Sequence, residues 1–160
     1  MNPNQRLRRP HWQQKGKLQI YFSTKGIVRK MKQILERADT PFVVGCCRTC
    51  THISILNSLG KTKGVSIIVA DNTLRDVSLP RFRGDPFRVV RGMDQQFFVG
   101  LNSRRQPVWA CTFSFELTPS FPERLCQMVY IQDKNVATFF AEEYMRVFDI
   151  SAPIALPAPT

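Results

Sequence analysis

Histidine is scarce in this chain: His11 and His52 are the only two in 160 residues, which leaves little room for imidazole chemistry. No apolar run approaches the roughly 18–20 residues of a membrane span, so no segment reads as membrane-crossing. The first residues, MNPNQRLRRPHWQQKGK, are positive but lack a following apolar core or a small-residue cleavage site, which argues against a secretory signal. An Arg-rich, acid-free opening fits an organellar presequence better, but Pro3 and Pro10 would interrupt the amphipathic helix such a segment needs. A second cysteine pair is also missing. Cys47-x-x-Cys50 stands alone, with Cys46, Cys111 and Cys126 scattered, whereas a zinc site of this type needs two pairs. No metal and no cofactor is expected. Five cysteines without a disulfide-ladder spacing imply a reducing compartment, the cytoplasm or an organellar matrix.

Acidic residues are absent from positions 1–32, which carry nine Lys/Arg: Arg6, Arg8, Arg9, Lys15, Lys17, Lys25, Arg29, Lys30 and Lys32. Most of the net charge of +11 therefore sits in this block, since the rest of the chain holds 14 basic and 12 acidic residues. Such a block suits a phosphate backbone or an acidic surface; it also suits a merely solvated, solubilising tail. The expected organisation is a basic arm over 1–16, one α/β domain over 17–149, and a Pro/Ala-rich tail over 150–160, extended or disordered.

Alternation in Leu18, Ile20 and Phe22 predicts a strand over 17–23. Ser23-Thr24 can cap a helix over 25–38, with Ile27, Met31, Ile34 and Leu35 on one face and Lys25, Arg29, Lys30 and Lys32 mainly on the wet side. A buried strand over 42–47 precedes a helix over about 51–62, with Ile53, Ile55, Leu56 and Leu59 inward, and then a strand over 65–70. Strand–helix–strand–helix–strand at this spacing predicts a largely parallel, helix-covered sheet. After an irregular stretch over 71–85, a short strand is expected over 86–90. Phe97-Phe98-Val99 and Val108 to Phe115 flank the turn Gly100–Arg105 as a hairpin. A strand over 125–131 and a helix over 135–148, with Val136, Phe139, Phe140, Tyr144 and Val147 as its apolar stripe, complete the domain.

Three segments carry a family resemblance: IYFSTKGIVRKMKQILERADTPFVVGC, ISILNSLGKTKGVSIIVAD, and MVYIQDKNVATFFAEEYMRVFD after the hairpin. In this order they resemble the phospholipase D superfamily, in its short, single-motif, nuclease-like branch, over roughly residues 18–149. The resemblance implies an α/β fold with a mixed, largely parallel sheet. It also implies a His-x-Lys-x4-Asp motif followed by Gly-Ser/Thr and an Asn-type position. There the His is the nucleophile, the Lys holds phosphate oxygens, and the Asp supports the site. Laid on this chain, those positions fall at Met93, Gln95 and Gly100, with Thr112 and Ser114 in the following strand. A thioether neither attacks phosphorus nor relays a proton, and an amide brings no positive charge. The resemblance thus implies the fold without the activity. A lone lobe in that family pairs with a copy of itself, which implies a homodimer.

The reading is a catalytically inactive phospholipase D-like protein that binds nucleic acid or serves as a scaffold subunit of a larger assembly. Candidate phosphate contacts are Arg6, Arg8, Arg9, Lys15, Lys17, Arg48, Arg81, Arg83, Arg104 and Arg105, since Arg grips phosphate with paired hydrogen bonds. Their bland alternative is a solvated loop paired with local acids, and Arg48 can pair with Asp71. Trp109, Phe113 and Phe115 suit base stacking or a strand's buried face. His52 is a base by type, without a partner nearby in sequence. Glu123 and the Glu142-Glu143 pair read as helix or loop surface. Two rivals stay open: a phosphodiesterase or nuclease with a non-standard site, and a protein-interaction subunit for acidic surfaces.

Overall fold

The computed structural model describes residues 11–13, 17–22, 24–71, 73–119 and 126–154. In chain order these form β1 (His11–Gln13), β2 (Leu18–Tyr21), α1 (Thr24–Leu35), β3 (Phe42–Cys47), α2 (Ile53–Gly60) and β4 (Gly64–Val69). A short 3-10 turn (Thr73–Asp76) leads to β5 (Phe87–Val89), β6 (Phe97–Leu101), β7 (Pro107–Phe113), β8 (Met128–Ile131), α3 (Lys134–Asp149) and β9 (Ala152–Pro153). All nine strands join one sheet in the order β1-β2-β8-β7-β6-β3-β4-β5-β9.

The α/β class and the helix-flanked mixed sheet are as expected, but the sheet is mostly antiparallel. Only β3–β4 and β4–β5 are parallel neighbours; the other six pairings are antiparallel. Strands β2, β3, β4 and β5 do run in one direction, as helical crossovers require. The β6–β7 hairpin and β8 enter between β2 and β3, so the first strand–helix–strand unit spans the sheet without pairing its own strands.

Each face of the sheet is covered by helices. On one, Ile27, Met31, Ile34 and Leu35 of α1 and Ile55, Leu56 and Leu59 of α2 pack on Val43, Ile67, Phe98 and Trp109. On the other, Ala137, Tyr144 and Val147 of α3 pack on Cys46, Ile68, Phe97, Val99 and Ala110. Period-2 alternation along β3 and β6 sends neighbouring residues to opposite cores. Three apolar residues depart from the expected faces: Phe22, just past the end of β2, is 52% exposed, Ile53 at the first turn of α2 is 51% exposed and Phe139 of α3 is 71% exposed. Lys30 departs the other way, with its ammonium 5.1 Å from the Tyr130 ring centre. Asp133 caps α3, its carboxylate accepting from the Asn135 and Val136 amides at 2.9 and 3.2 Å.

Residues assigned from sequence to the arm and the tail reach the sheet edges. His11–Gln13 pair with β2, Ala152–Pro153 pair with β5, and Ile154 is buried in the core. Residues 120–125, with the expected start of β8 and Glu123, lie outside the described residues, as do 1–10, 14–16 and 155–160.

Candidate functional site

One end of the sheet gathers the C-termini of β3, β4, β5 and β7 and the N-terminus of β6. Met93, Gln95, Thr112 and Ser114 fall at this end, whereas Gly100 lies at the other end of β6. Five positions spread over 22 residues of sequence thus divide between a cleft and a packing seat.

Met93 is buried in the core beneath α3 with Cys46, Ile68 and Phe97. Only 8% of it is exposed. The Gln95 amide donates to Glu143 of α3. Glu143 also accepts from Arg146, Nε at 2.9 Å and Nη2 at 2.5 Å. These contacts, Arg146 foremost and Gln95 second, pull the Glu143 carboxyl down to about 2. The group that stands where the resemblance expects a phosphate-holding lysine is therefore bound to a carboxylate that is ionised at neutral pH. Thr112 lines the same hollow, of about 370 Å³, with Gln95, Gln96, Phe97, Phe139, Phe140 and Glu143. Ser114 is exposed and uses its hydroxyl structurally, accepting from the Gln127 amide at 2.9 Å.

Gly100 is set by Trp109. A Cβ on Gly100 would lie 2.1 Å from the indole, and the indole Nε1 donates at 3.0 Å to the buried Thr40 hydroxyl. The position expected to carry a supporting carboxylate is thus kept empty so that a tryptophan can cross it.

Arg48, at the C-terminal end of β3, does not pair with Asp71. It meets Asp94 at 3.1 Å and Glu116 at 3.6 Å, two carboxylates that offset its charge. Asp71 instead accepts from Thr73, amide at 3.1 Å and hydroxyl at 2.6 Å. Lys17 pairs with Asp133 at 2.9 Å. Arg104 and Arg105 lie in the β6–β7 turn, at the opposite end of the hairpin from Gln95 and Thr112. There Asn102 organises the turn, its side-chain oxygen accepting from the Arg104 and Gln106 amides at 3.0 and 2.9 Å. Arg105 adopts φ 61° and places its guanidinium 4.5 Å from the Phe42 ring centre. Arg81 and Arg83 are exposed; Pro80 and Arg81 pass Gly60, at the C-terminal end of α2. The arginines that cluster in sequence around the motif are therefore dispersed in space. Arg6, Arg8, Arg9 and Lys15 lie outside the described residues.

Trp109, Phe113 and Phe115 are buried, at 0%, 6% and 3% exposure, so they build core rather than stack on bases. His52 precedes α2; burial first, and then the Lys32 charge, lowers its pKa and favours the neutral ring. Cys46, Cys47, Cys50, Cys111 and Cys126 are all free and buried. Among the described residues no group of three His, Cys, Asp or Glu side chains converges as a metal site, and no helix is long and apolar enough to cross a membrane. Sequence reasoning missed the partners of Gln95 and Arg48, because Glu143 and Glu116 come from distant elements without a local signal.

No family model matches the sequence, and no curated protein sequence matches it. Solved structures do match in fold. NucT from Helicobacter pylori superimposes with a TM-score of 0.60 at 11% identity, over 86% of this chain and 99% of that one. Nuc from Salmonella typhimurium, a phospholipase D family member, gives 0.59 at 11% identity over 86% and 97%. TrmBL2, an archaeal chromatin protein with a novel mode of DNA binding, gives 0.56 at 12% identity over 86% of this chain, which spans 54% of TrmBL2.

Proposed function

We propose that this chain, whose fold is phospholipase D-like, is a catalytically inactive protein that binds nucleic acid as a subunit of a larger assembly. One observation carries the inactivity. The side chains at the three motif positions are a buried thioether (Met93), an amide held by Glu143 (Gln95), and no side chain at all (Gly100). Phosphoryl transfer through the family's route needs a nucleophile and a cation on the phosphate oxygens, and these positions supply neither. The net charge of +11 and the DNA-binding chromatin protein among the fold's neighbours support nucleic acid as the ligand. Self-association as a homodimer accords with a single lobe, and free buried cysteines accord with a reducing compartment.

The test is a paired assay on full-length protein. Salt-dependent retention of labelled single- and double-stranded DNA and RNA is measured, with cleavage read on gels from the same tubes, with and without divalent metal. Retention without cleavage is expected. Cleavage that co-purifies with the protein would overturn inactivity. Absence of retention at low salt would overturn nucleic-acid binding and leave a protein scaffold.

A further inference from the structure

We infer that the nucleic-acid surface of this protein is a cationic track along the outer face of α1, displaced from the emptied motif, and that its ligand is the sugar–phosphate backbone. The inference rests on the nucleic-acid-binding reading above and says where that binding occurs. Lys25, Arg29 and Lys32 follow one another at intervals of four and three residues, which puts them in a row on one side of the helix over roughly 10 Å. Lys25 and Arg29 are exposed and Lys32 is half-buried. The helix TKGIVRKMKQIL has no acidic residue, and none of the three forms an ion pair among the described residues.

The row also has shape. Lys25, Arg29, Lys32 and Glu36 line a hollow of about 610 Å³. A second hollow of about 350 Å³ continues from Glu36 to Lys61 and Lys63 at the α2–β4 corner. Glu36, the carboxylate shared by the two, is already occupied. Lys61 holds it at 2.7 Å, and the Ser58 hydroxyl donates to it at 3.1 Å. A polyanion laid along the track meets Lys25, Arg29 and Lys32, then the mutually neutralised Glu36–Lys61 pair, and then Lys63.

At the motif end, apart from the exposed Arg91, the charges are paired. Asp94 and Glu116 face Arg48, and Glu143 holds Gln95. Spaced cations without convergent donors suit a repeating phosphate backbone better than one isolated phosphate, and they carry no base readout.

The experiment compares full-length parent, the triple variant K25Q/R29Q/K32Q and S114E, using mixed-sequence single- and double-stranded DNA and RNA oligonucleotides across a salt titration. Circular dichroism and thermal melting confirm that all three fold. The triple variant is expected to lose at least about tenfold in affinity at 0.1 M salt, with its log–log salt slope reduced by about 2–3. S114E, which adds a carboxylate at the exposed motif end, is expected to bind as the parent does. A triple variant that binds like the parent overturns the track while leaving nucleic-acid binding intact; weakening by S114E would then return the ligand to the motif end. A parent that binds none of the probes overturns both readings.

Discussion

The Trp109 indole occupies the space that any side chain on Gly100 would need, a Cβ there falling 2.1 Å from the ring. Gly100→Ala is expected to cost about 3 kcal/mol by overpacking. Trp109→Phe, which shortens the intruding ring system, should make the same substitution cheaper. Urea denaturation of the single and double variants measures this, and additive effects would contradict the contact.

The same tryptophan donates to Thr40, with both residues buried. Thr40→Val keeps the shape and removes the acceptor, and should destabilise the fold by about 1–3 kcal/mol. An unchanged denaturation midpoint would mean that the indole finds another acceptor.

Acid should weaken the protein below pH 4.5. Glu36, Asp39, Asp133 and Glu143 all have carboxyl pKa values lowered, chiefly by Lys61, Arg37, Lys17 and Arg146 respectively. A folded-state pKa below the unfolded value of roughly 4 means that stability is fully present above the unfolded pKa. It is lost as pH falls through the folded one. For Glu143 that loss extends down to about 2. Denaturation midpoints between pH 7 and 2 should fall, and Glu143→Gln should flatten the acid limb.

Native thiols should be unreactive. Burial pushes Cys46 and Cys111 up to about 12, and Cys47 is raised by its hydrogen bond with Cys50 and by burial. Because the thiolate is the reactive form, a chromogenic disulfide reagent at pH 8 should label no cysteine in native protein and five in guanidinium. Rapid native labelling at Cys47 or Cys50 would revive a redox role.

Deleting residues 1–10 should weaken nucleic-acid retention about tenfold through loss of Arg6, Arg8 and Arg9, while retaining the residues of β1. Deleting 1–16 also removes the strand that pairs with β2 and should lower the melting temperature. Equal melting temperatures for the two deletions would contradict that pairing.

Every helix was legible in the sequence because helical spacing writes itself locally. Ile27, Met31, Ile34 and Leu35 are three and four residues apart, and all are buried. Phe139 misled, since it is apolar but turned roughly 100° from Phe140 and lies outside the buried face of α3. Lys30 misled for the opposite reason: its ammonium is drawn over the Tyr130 ring, 5.1 Å from the centre, a contact with a strand far away in sequence. The largely parallel sheet was matched only in part, at β3–β4 and β4–β5, because a strand–helix–strand pattern specifies direction, not neighbours. β2 does run with β3, but three later strands lie between them.

The amino-acid order alone determined the succession of elements from β2 to α3, the phospholipase D-like pattern, and the residue types Met93, Gln95 and Gly100 at the positions where the family resemblance would lay its motif. Each of these is encoded within a few residues, by alternation, helical spacing or residue type. The tertiary structure alone decided which charges are already answered. Gln95 meets Glu143 and Arg48 meets Glu116 only after α3 and the end of β7 have docked. It also decided that Arg104 and Arg105 stand at the opposite end of the hairpin from Gln95, and that Lys25, Arg29 and Lys32 line a hollow. Electrostatic partnership depends on distance in space, and a chain that folds into a nine-stranded sheet brings together residues that its sequence separates.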